Sequence, residues 1–194
     1  MIKQALKRFL STIIIKLKYI YEEDKLKIIY NNPNISVGEG VTIEEYFSAN
    51  LPADNFSIKI GSYVRIKKYC SILLLPKAEL NIDGGVFFNN YCTVNCVEKI
   101  SIGENTMFGE GVKLYDHNHT INRNNNSLAV VKDQFETAPI YIGKNCWIGS
   151  NVTILKGVTL GDNVVIGANN LIHQSIPDNT VVKMKIDYII ENNS

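Results

Sequence analysis

From residue 60 onward, aliphatic side chains recur every six residues. Ile60, Ile66, Ile72 and Ala78 form one series, Ile82, Phe88, Val94 and Ile100 a second, and Ile102, Phe108 and Leu114 a third. After an interruption the pattern runs unbroken through Ile142, Ile148, Ile154, Leu160, Ile166 and Ile172. A helix repeats its apolar positions every three or four residues, and a half-exposed strand every two. A sustained six belongs to neither. Glycine follows the aliphatic residue in Ile60-Gly61, Ile102-Gly103, Phe108-Gly109, Ile142-Gly143, Ile148-Gly149, Leu160-Gly161 and Ile166-Gly167. Six residues make one short strand and one corner. The aliphatic residue points inward, a second small or β-branched residue four places later (Val152, Val158, Val164) packs beside it, and glycine relieves crowding near the turn. Three such units close a triangle, so each coil takes about eighteen residues and stacks on the last by strand pairing. The chain is therefore expected to be all-β, a parallel β-helix built from hexads.

The period also sets the domain boundaries. Val37-Gly38 and Ile43 stand six apart, so residues 33–59 are expected to form an irregular first coil of a domain running from 33 to 182. Two resets, between Ala78 and Ile82 and between Ile100 and Ile102, lengthen the early coils by a few residues at a corner. Residues 183–194 form a tail, and residues 1–32 an N-terminal extension. In that extension Ile2, Leu6, Phe9, Ile13, Leu17 and Ile20 recur at three- and four-residue steps, the mark of an amphipathic helix. Lys3, Lys7, Arg8, Lys16 and Lys18 accompany them without a single acid, and Lys16 and Lys18 break the apolar run too early for a membrane span. The stripe can pack on the domain or on a neighbouring subunit. Alternatively, residues 1–20 can lie on an anionic membrane as a peripheral contact.

Composition excludes some classes. The formal charge of +1 lacks the basic excess of a nucleic-acid binder. Cys70, Cys92, Cys96 and Cys146 contain no CxxC pair, so they read as reduced, buried apolar residues, which suits a cytoplasmic protein. No metal is expected to be needed.

The one large break lies between Leu114 and Ile142. "LYDHNH" is itself a complete hexad from Leu114 to His119, and residues 120–139 must then leave the wall and return. A long irregular loop inside a repetitive scaffold is usually functional. His117 and His119 sit at its base, where a neutral imidazole can take a proton from a hydroxyl or an amine, with Asp116 placed to hold its tautomer. The asparagines at 122 and 124–126 read as a flexible polar turn.

The segments "SIGENTMFGEGVKLYDHNH" and "PIYIGKNCWIGSNVTILKGVTLGDNVVIGANNLIHQSIPDNTVV" resemble the hexapeptide acetyltransferases, typified by galactoside, maltose and nodulation acetyltransferases. The resemblance covers about residues 82–182, and the N-terminal part looks more like enzymes that acetylate bacterial surface polysaccharides. It implies a left-handed coil, acetyl-coenzyme A as donor, a saccharide acceptor, and a homotrimer with active sites between subunits. It makes His119 the general base, with His117 and Asp116 as substrate contacts or orienting neighbours. Trp147 would line the acceptor and thioester site, Ser150 would face the developing oxyanion, and Asn89 would touch the acceptor. Coenzyme A would lie along Gly149, Ser150, Gly167, Ala168, His173 and Gln174, with Lys183 and Lys185 supplying positive charge. The implied activity is O-acetylation of a sugar hydroxyl, on the inner side of the cytoplasmic membrane or free in the cytoplasm. Three rival readings stay open: an N-acetyltransferase of an amino-sugar nucleotide, a β-helix without activity, and a metal-dependent hydratase. The last would need His117, His119 and His173 to converge on one ion.

Overall fold

In the computed structural model, residues 29–124 and 127–184 are described, together with positions 4, 7, 9–13, 16 and 27. Short strands wind into a parallel β-helix with three flat faces. The first face stacks Ile35–Val37, Ser57–Ile60, Glu79–Ile82, Lys99–Ile102, Ile140–Ile142 and Thr159–Leu160. The second stacks Thr42–Ile43, Arg65–Ile66, Phe87–Phe88, Met107–Phe108, Trp147–Ile148, Val165–Ile166 and Val181–Val182. The third stacks Ser48–Asn50, Ser71–Leu74, Thr93–Cys96, Lys113–Tyr115, Thr153–Leu155 and Leu171–Ile172.

Strand register turns the sequence period into columns of touching side chains. Ile60, Ile82, Ile102, Ile142 and Leu160 pair in turn on the first face. Ile66, Phe88, Phe108, Ile148 and Ile166 pair on the second, and Ile72, Val94, Leu114, Ile154 and Ile172 on the third. All of these residues are buried. Each aliphatic residue so buried stabilises the fold by about 1.5–3 kcal/mol. The rings of Phe88 and Phe108 stack inside the tube at 4.7 Å. The two resets fall at the corner between the third and first faces. There the first-face strands contribute two inward residues each, such as Ile100 and Ile102, and so lengthen the coil. Residues 33–59 form a full first coil whose three strands pair with the next.

The other two corners turn through a residue with positive φ. At the corner between the first and second faces this residue is Gly40, Tyr63, Gly85, Asn105, Asn145, Asn163 and Asn179. Between the second and third faces it is Tyr46, Tyr69, Tyr91, Gly111, Asn151 and Asn169. Glycine has no Cβ to clash there, and the amide of asparagine tolerates the conformation. Asparagines on successive coils also bond to one another, as in Asn163–Asn179 at 3.0 Å and Asn151–Asn169 at 3.2 Å. Tyrosine has no such excuse. Each one costs about 1–2 kcal/mol in this backbone region.

Two expectations need revision. Residues 120–139 are not an irregular loop. His117–Asn124 and Ser127–Thr137 pair antiparallel and form a protruding arm. The wall strand stops at Tyr115, so His119 stands in the arm and does not close a wall hexad. In the N-terminal extension the described positions up to residue 30 are helical, and Phe9 and Ile13 are exposed there. Ile2, Leu6, Leu17 and Ile20 of the proposed stripe lie outside the described residues, as do Lys3, Arg8, Lys18 and Lys185. No helix among the described residues is long and apolar enough to cross a membrane.

Candidate active site

The arm leaves the corner between the third and first faces, and its root is tied down by one buried carboxylate. Asp116 is fully buried, one residue past the last wall position, Tyr115. The Val97 N–H donates to both its oxygens at 2.9 and 3.0 Å, and the Glu98 and Lys99 N–H groups donate to Oδ2 at 2.8 and 2.9 Å. Its Oδ1 also meets Nδ1 of His117 at 3.1 Å. A carboxylate only accepts, so Nδ1 carries a hydrogen, and in the neutral ring this leaves Nε2 of His117 as the acceptor. Asp116 thus orients the His117 ring. It has no exposed surface with which to touch a substrate, so its expected role as a substrate contact is corrected to an internal one.

Phe135, from the returning strand, organises both imidazoles. The His117 ring meets it edge-on at 5.1 Å, and the His119 ring lies tilted against it at 4.9 Å. His119 pairs with Phe135, but Thr120 pairs with Val131, so a bulge on the returning strand separates them. Bulges of this kind re-aim side chains. The result is a hollow of about 680 Å³ lined by His117, Asn118, His119, Ile121, Arg123, Val130 and Glu136. His119 is exposed in it, whereas His117 is half-buried. Phe135, Arg123 and Glu136 were missed from sequence because the segment read as irregular. The signal was there: β-branched residues on both sides of an asparagine-rich turn are the pattern of a hairpin.

The remaining predicted residues lie elsewhere. Asn89, Gly149 and Gly167 stand on the corner between the second and third faces, each donating its N–H to the coil above: Asn89 to Phe108, Gly149 to Ile166, Gly167 to Val182. Lys183 follows Val182 at the top of that corner, and Ser150 and Ala168 lie beside it, half-buried and exposed. Trp147 projects from the second face and is 56 % exposed. Gly149 is itself buried, and a Cβ there would sit 2.6 Å from the backbone nitrogen of Ala168. Coil stacking therefore explains that glycine. His173 and Gln174 are exposed on the arm's corner, above the coil of Asp116, and line a separate hollow of about 130 Å³ with Leu171, Ile172 and Ile176. The width of the third face, roughly 15 Å by strand rise, separates the two corners. One copy of the chain brings His117, His119 and Asp116 together, but not with Ser150 or Trp147.

Residues 139–174 match the family model described as bacterial transferase hexapeptide (six repeats). A putative lipopolysaccharide biosynthesis O-acetyl transferase, WbbJ, of Escherichia coli K12 is 34% identical over 110 residues, covering 51% of this chain and 56% of that relative. Residues 139–174 thus carry the hexapeptide repeat of bacterial transferases, and the coils of the wall extend the same winding on either side of them. The match spans little more than half the length of the curated relative. Among solved structures, a mutant of AntD, an N-acyltransferase from Bacillus cereus in complex with dTDP-4-amino-4,6-dideoxyglucose and coenzyme A, superposes with a TM-score of 0.65. It is 19% identical, and the match covers 89% of this chain and 90% of that one. A second AntD structure, with dTDP and 3-hydroxybutyryl-CoA, gives 0.64 at 19% identity over 82% of this chain and 81% of that one. At this identity the likeness concerns the fold.

Within this hexapeptide-repeat protein the four cysteines are free and buried. Burial pushes the Cys96 and Cys146 thiols up from their ordinary value, and the Asp116 carboxylate adds to the effect at Cys96. None of them lines the hollow of the arm, so no cysteine there is placed as a nucleophile. Among the described residues no group of three or more His, Cys, Asp and Glu side chains is arranged to hold a metal ion.

Proposed function

We propose that the chain transfers an acetyl group from acetyl-coenzyme A to a hydroxyl of a saccharide, an acceptor of the kind found in bacterial surface polysaccharides. The observation that carries the reading is the pair of imidazoles at the root of the arm. They are braced by Asp116 and Phe135, and they face open space at the one interruption of the wall. The E. coli relative, itself described as a putative lipopolysaccharide O-acetyl transferase, points the same way.

The residues present fit the coenzyme in part. Trp147, Ser150, Gly167, Ala168 and Lys183 offer an accessible strip beside one corner, whereas buried Gly149 does not contribute surface. The thioester supplies an activated acetyl group, and the protein's own residues handle charge and protons. His119 takes the proton from the attacking hydroxyl and passes it to the coenzyme A sulfur as the C–S bond breaks, while His117, pinned by Asp116, orients the acceptor. The Ser150 hydroxyl donates to the oxygen that gains negative charge, since the flanking Gly149 and Asn151 N–H groups are engaged between coils. Because base and donor strip lie on different corners of one copy, the site is completed by a second copy, the arm of one prism meeting the strip of the next. A cyclic trimer satisfies this for all subunits at once.

The test is transfer from radiolabelled acetyl-coenzyme A to isolated surface glycan. Label that is released in mild alkali marks an ester, whereas alkali-stable label would favour the N-acyl reading. His119→Ala is expected to lower turnover by about 10² or more, with coenzyme binding retained. A near-normal rate would move the base to His117.

A further inference from the structure

The corner between the second and third faces carries an aromatic ladder that the reaction does not use. Tyr46, Tyr69 and Tyr91 occupy successive rungs, all at positive φ, with ring centroids 4.7 and 5.0 Å apart and planes within 3° and 5° of parallel. The backbone continues the same ladder upward: Tyr91 N–H bonds to Lys68 O, Gly111 N–H to Asn90 O, Asn151 N–H to Glu110 O and Asn169 N–H to Ser150 O. Side chains therefore run Tyr, Tyr, Tyr, nothing, Asn, Asn. Higher rungs use glycine and asparagine, which suit this backbone, while the lower three hold strained tyrosines in exposed positions.

The empty rung lies directly above Tyr91. A Cβ built on Gly111 would have only the Asn151 amide within 4 Å, its Oδ1 at 2.6 Å, and no atom of Tyr91. Among the described residues no ring or cation stacks on the upper face of Tyr91, which is 58% exposed. One coil rise, about 4.8 Å, separates it from the position a fourth ring would take. The inner end of this slot is closed by Asn151 Oδ1, whose amide nitrogen is engaged with Asn169 Oδ1 and leaves the oxygen as acceptor. Glu110, one residue before Gly111, accepts from Asn90 Nδ2 at 3.4 Å, Asn90 being the residue before Tyr91. Ser150 immediately precedes Asn151.

We infer that the slot between Tyr91 and Asn151 is a pyranose subsite. An aromatic face carries negative quadrupole charge and attracts the polarised C–H bonds on the flat side of a sugar ring. Hydroxyls at the ring's edge can donate to the Asn151 amide oxygen and the Glu110 carboxylate. A ring with equatorial hydroxyls, flat and apolar on both faces, has the thickness of one rung. The subsite rests on the reading of a saccharide acceptor and deepens it, since it places one sugar of the acceptor beside Ser150.

The probe is cellopentaose, added to the full-length protein and followed by saturation-transfer NMR and titration. Wild type is expected to saturate the axial ring protons. Tyr91→Ala should weaken binding by about tenfold or more, and Tyr91→Phe should retain it. Gly111→Asn should also abolish it, by extending the asparagine ladder into the slot with a residue suited to positive φ. Coenzyme A binding and the oligomeric state are measured on the same samples. The subsite is refuted if wild type gives no transfer to cellopentaose, if Tyr91→Ala binds unchanged, or if Tyr91→Ala splits the oligomer, which would make the ladder an interface. If the sugar contacts Tyr91 but no acetyl ester ever forms on any glycan, the subsite stands and the transferase reading falls. If ester forms while Tyr91→Ala leaves the acceptor KM unchanged, the subsite alone falls.

Discussion

Replacing Asp116 separates two jobs that one carboxylate performs. In Asp116→Ala the N–H groups of Val97, Glu98 and Lys99 lose their acceptor, and hydrogen bonds to a charged group contribute about 1.5–3 kcal/mol each. Relief from burying the charge offsets part of this, so the expected loss is about 4 kcal/mol. In Asp116→Asn the carbonyl oxygen can take the place of Oδ2 and keep Glu98 and Lys99, leaving the amide nitrogen near His117 Nδ1. That variant should lose only about 1–2 kcal/mol. It should also invert the imidazole, since an N–H facing Nδ1 requires Nδ1 to accept and Nε2 to carry the hydrogen. Urea unfolding at one fixed protein concentration gives the stabilities, because any oligomer makes them concentration-dependent. Hydrogen exchange at residues 97–99 locates the loss, and ¹⁵N shifts of the His117 ring report its tautomer. Equal stability of the two variants, or an unchanged tautomer in Asp116→Asn, would refute the reasoning.

Gly149→Ala drives a methyl group to 2.6 Å from the Ala168 nitrogen and 2.8 Å from the Ile166 oxygen, and should destabilise by about 1–3 kcal/mol in the same unfolding assay; a neutral result would mean that the coils can separate locally. The buried thiols should resist a disulfide reagent in the native protein at about pH 8, near the ordinary thiol value, and react on unfolding; a native thiol reacting at the rate of free cysteine would contradict their burial. Because the fold raises Cys96 and Cys146, the stability associated with these two neutral thiols is complete below the ordinary thiol range and declines as pH rises through it towards their folded values. Removing residues 1–20 should reduce sedimentation with anionic liposomes if the basic extension meets a membrane, and unchanged sedimentation would assign it to protein packing.

The hexad pattern made the prism legible because each inward residue meets its own kind one coil away. Ile142 and Leu160 are paired in the structure as their spacing requires. The corner carrying the histidines was legible for the complementary reason, as the place where the period fails. The arm was not, because a two-stranded hairpin standing off a core buries little, and its alternation is diluted by Lys132, Asp133 and Gln134 in the bulge. Asp116 reads from sequence as a substrate contact or an orienting neighbour of the histidines, with nothing local to mark it as buried. Its true environment depends on three backbone N–H groups from the preceding coil, a tertiary fact that no local spacing encodes. The tyrosine rungs escaped notice because they stand 23 and 22 positions apart, as 46, 69 and 91, in the lengthened coils rather than in the regular ones.

The arm begins and ends at nearly one point. Ala138 N–H donates to Asp116 O at 2.9 Å, and the next coil resumes through Gly157 N–H to Ala138 O at 3.0 Å. To the winding of the tube, residues 117–137 are thus a detour that closes on itself. A gene could lengthen, shorten or exchange that detour without re-threading any strand. Descendants of this scaffold can therefore acquire a different arm by cassette replacement while inheriting the wall unchanged.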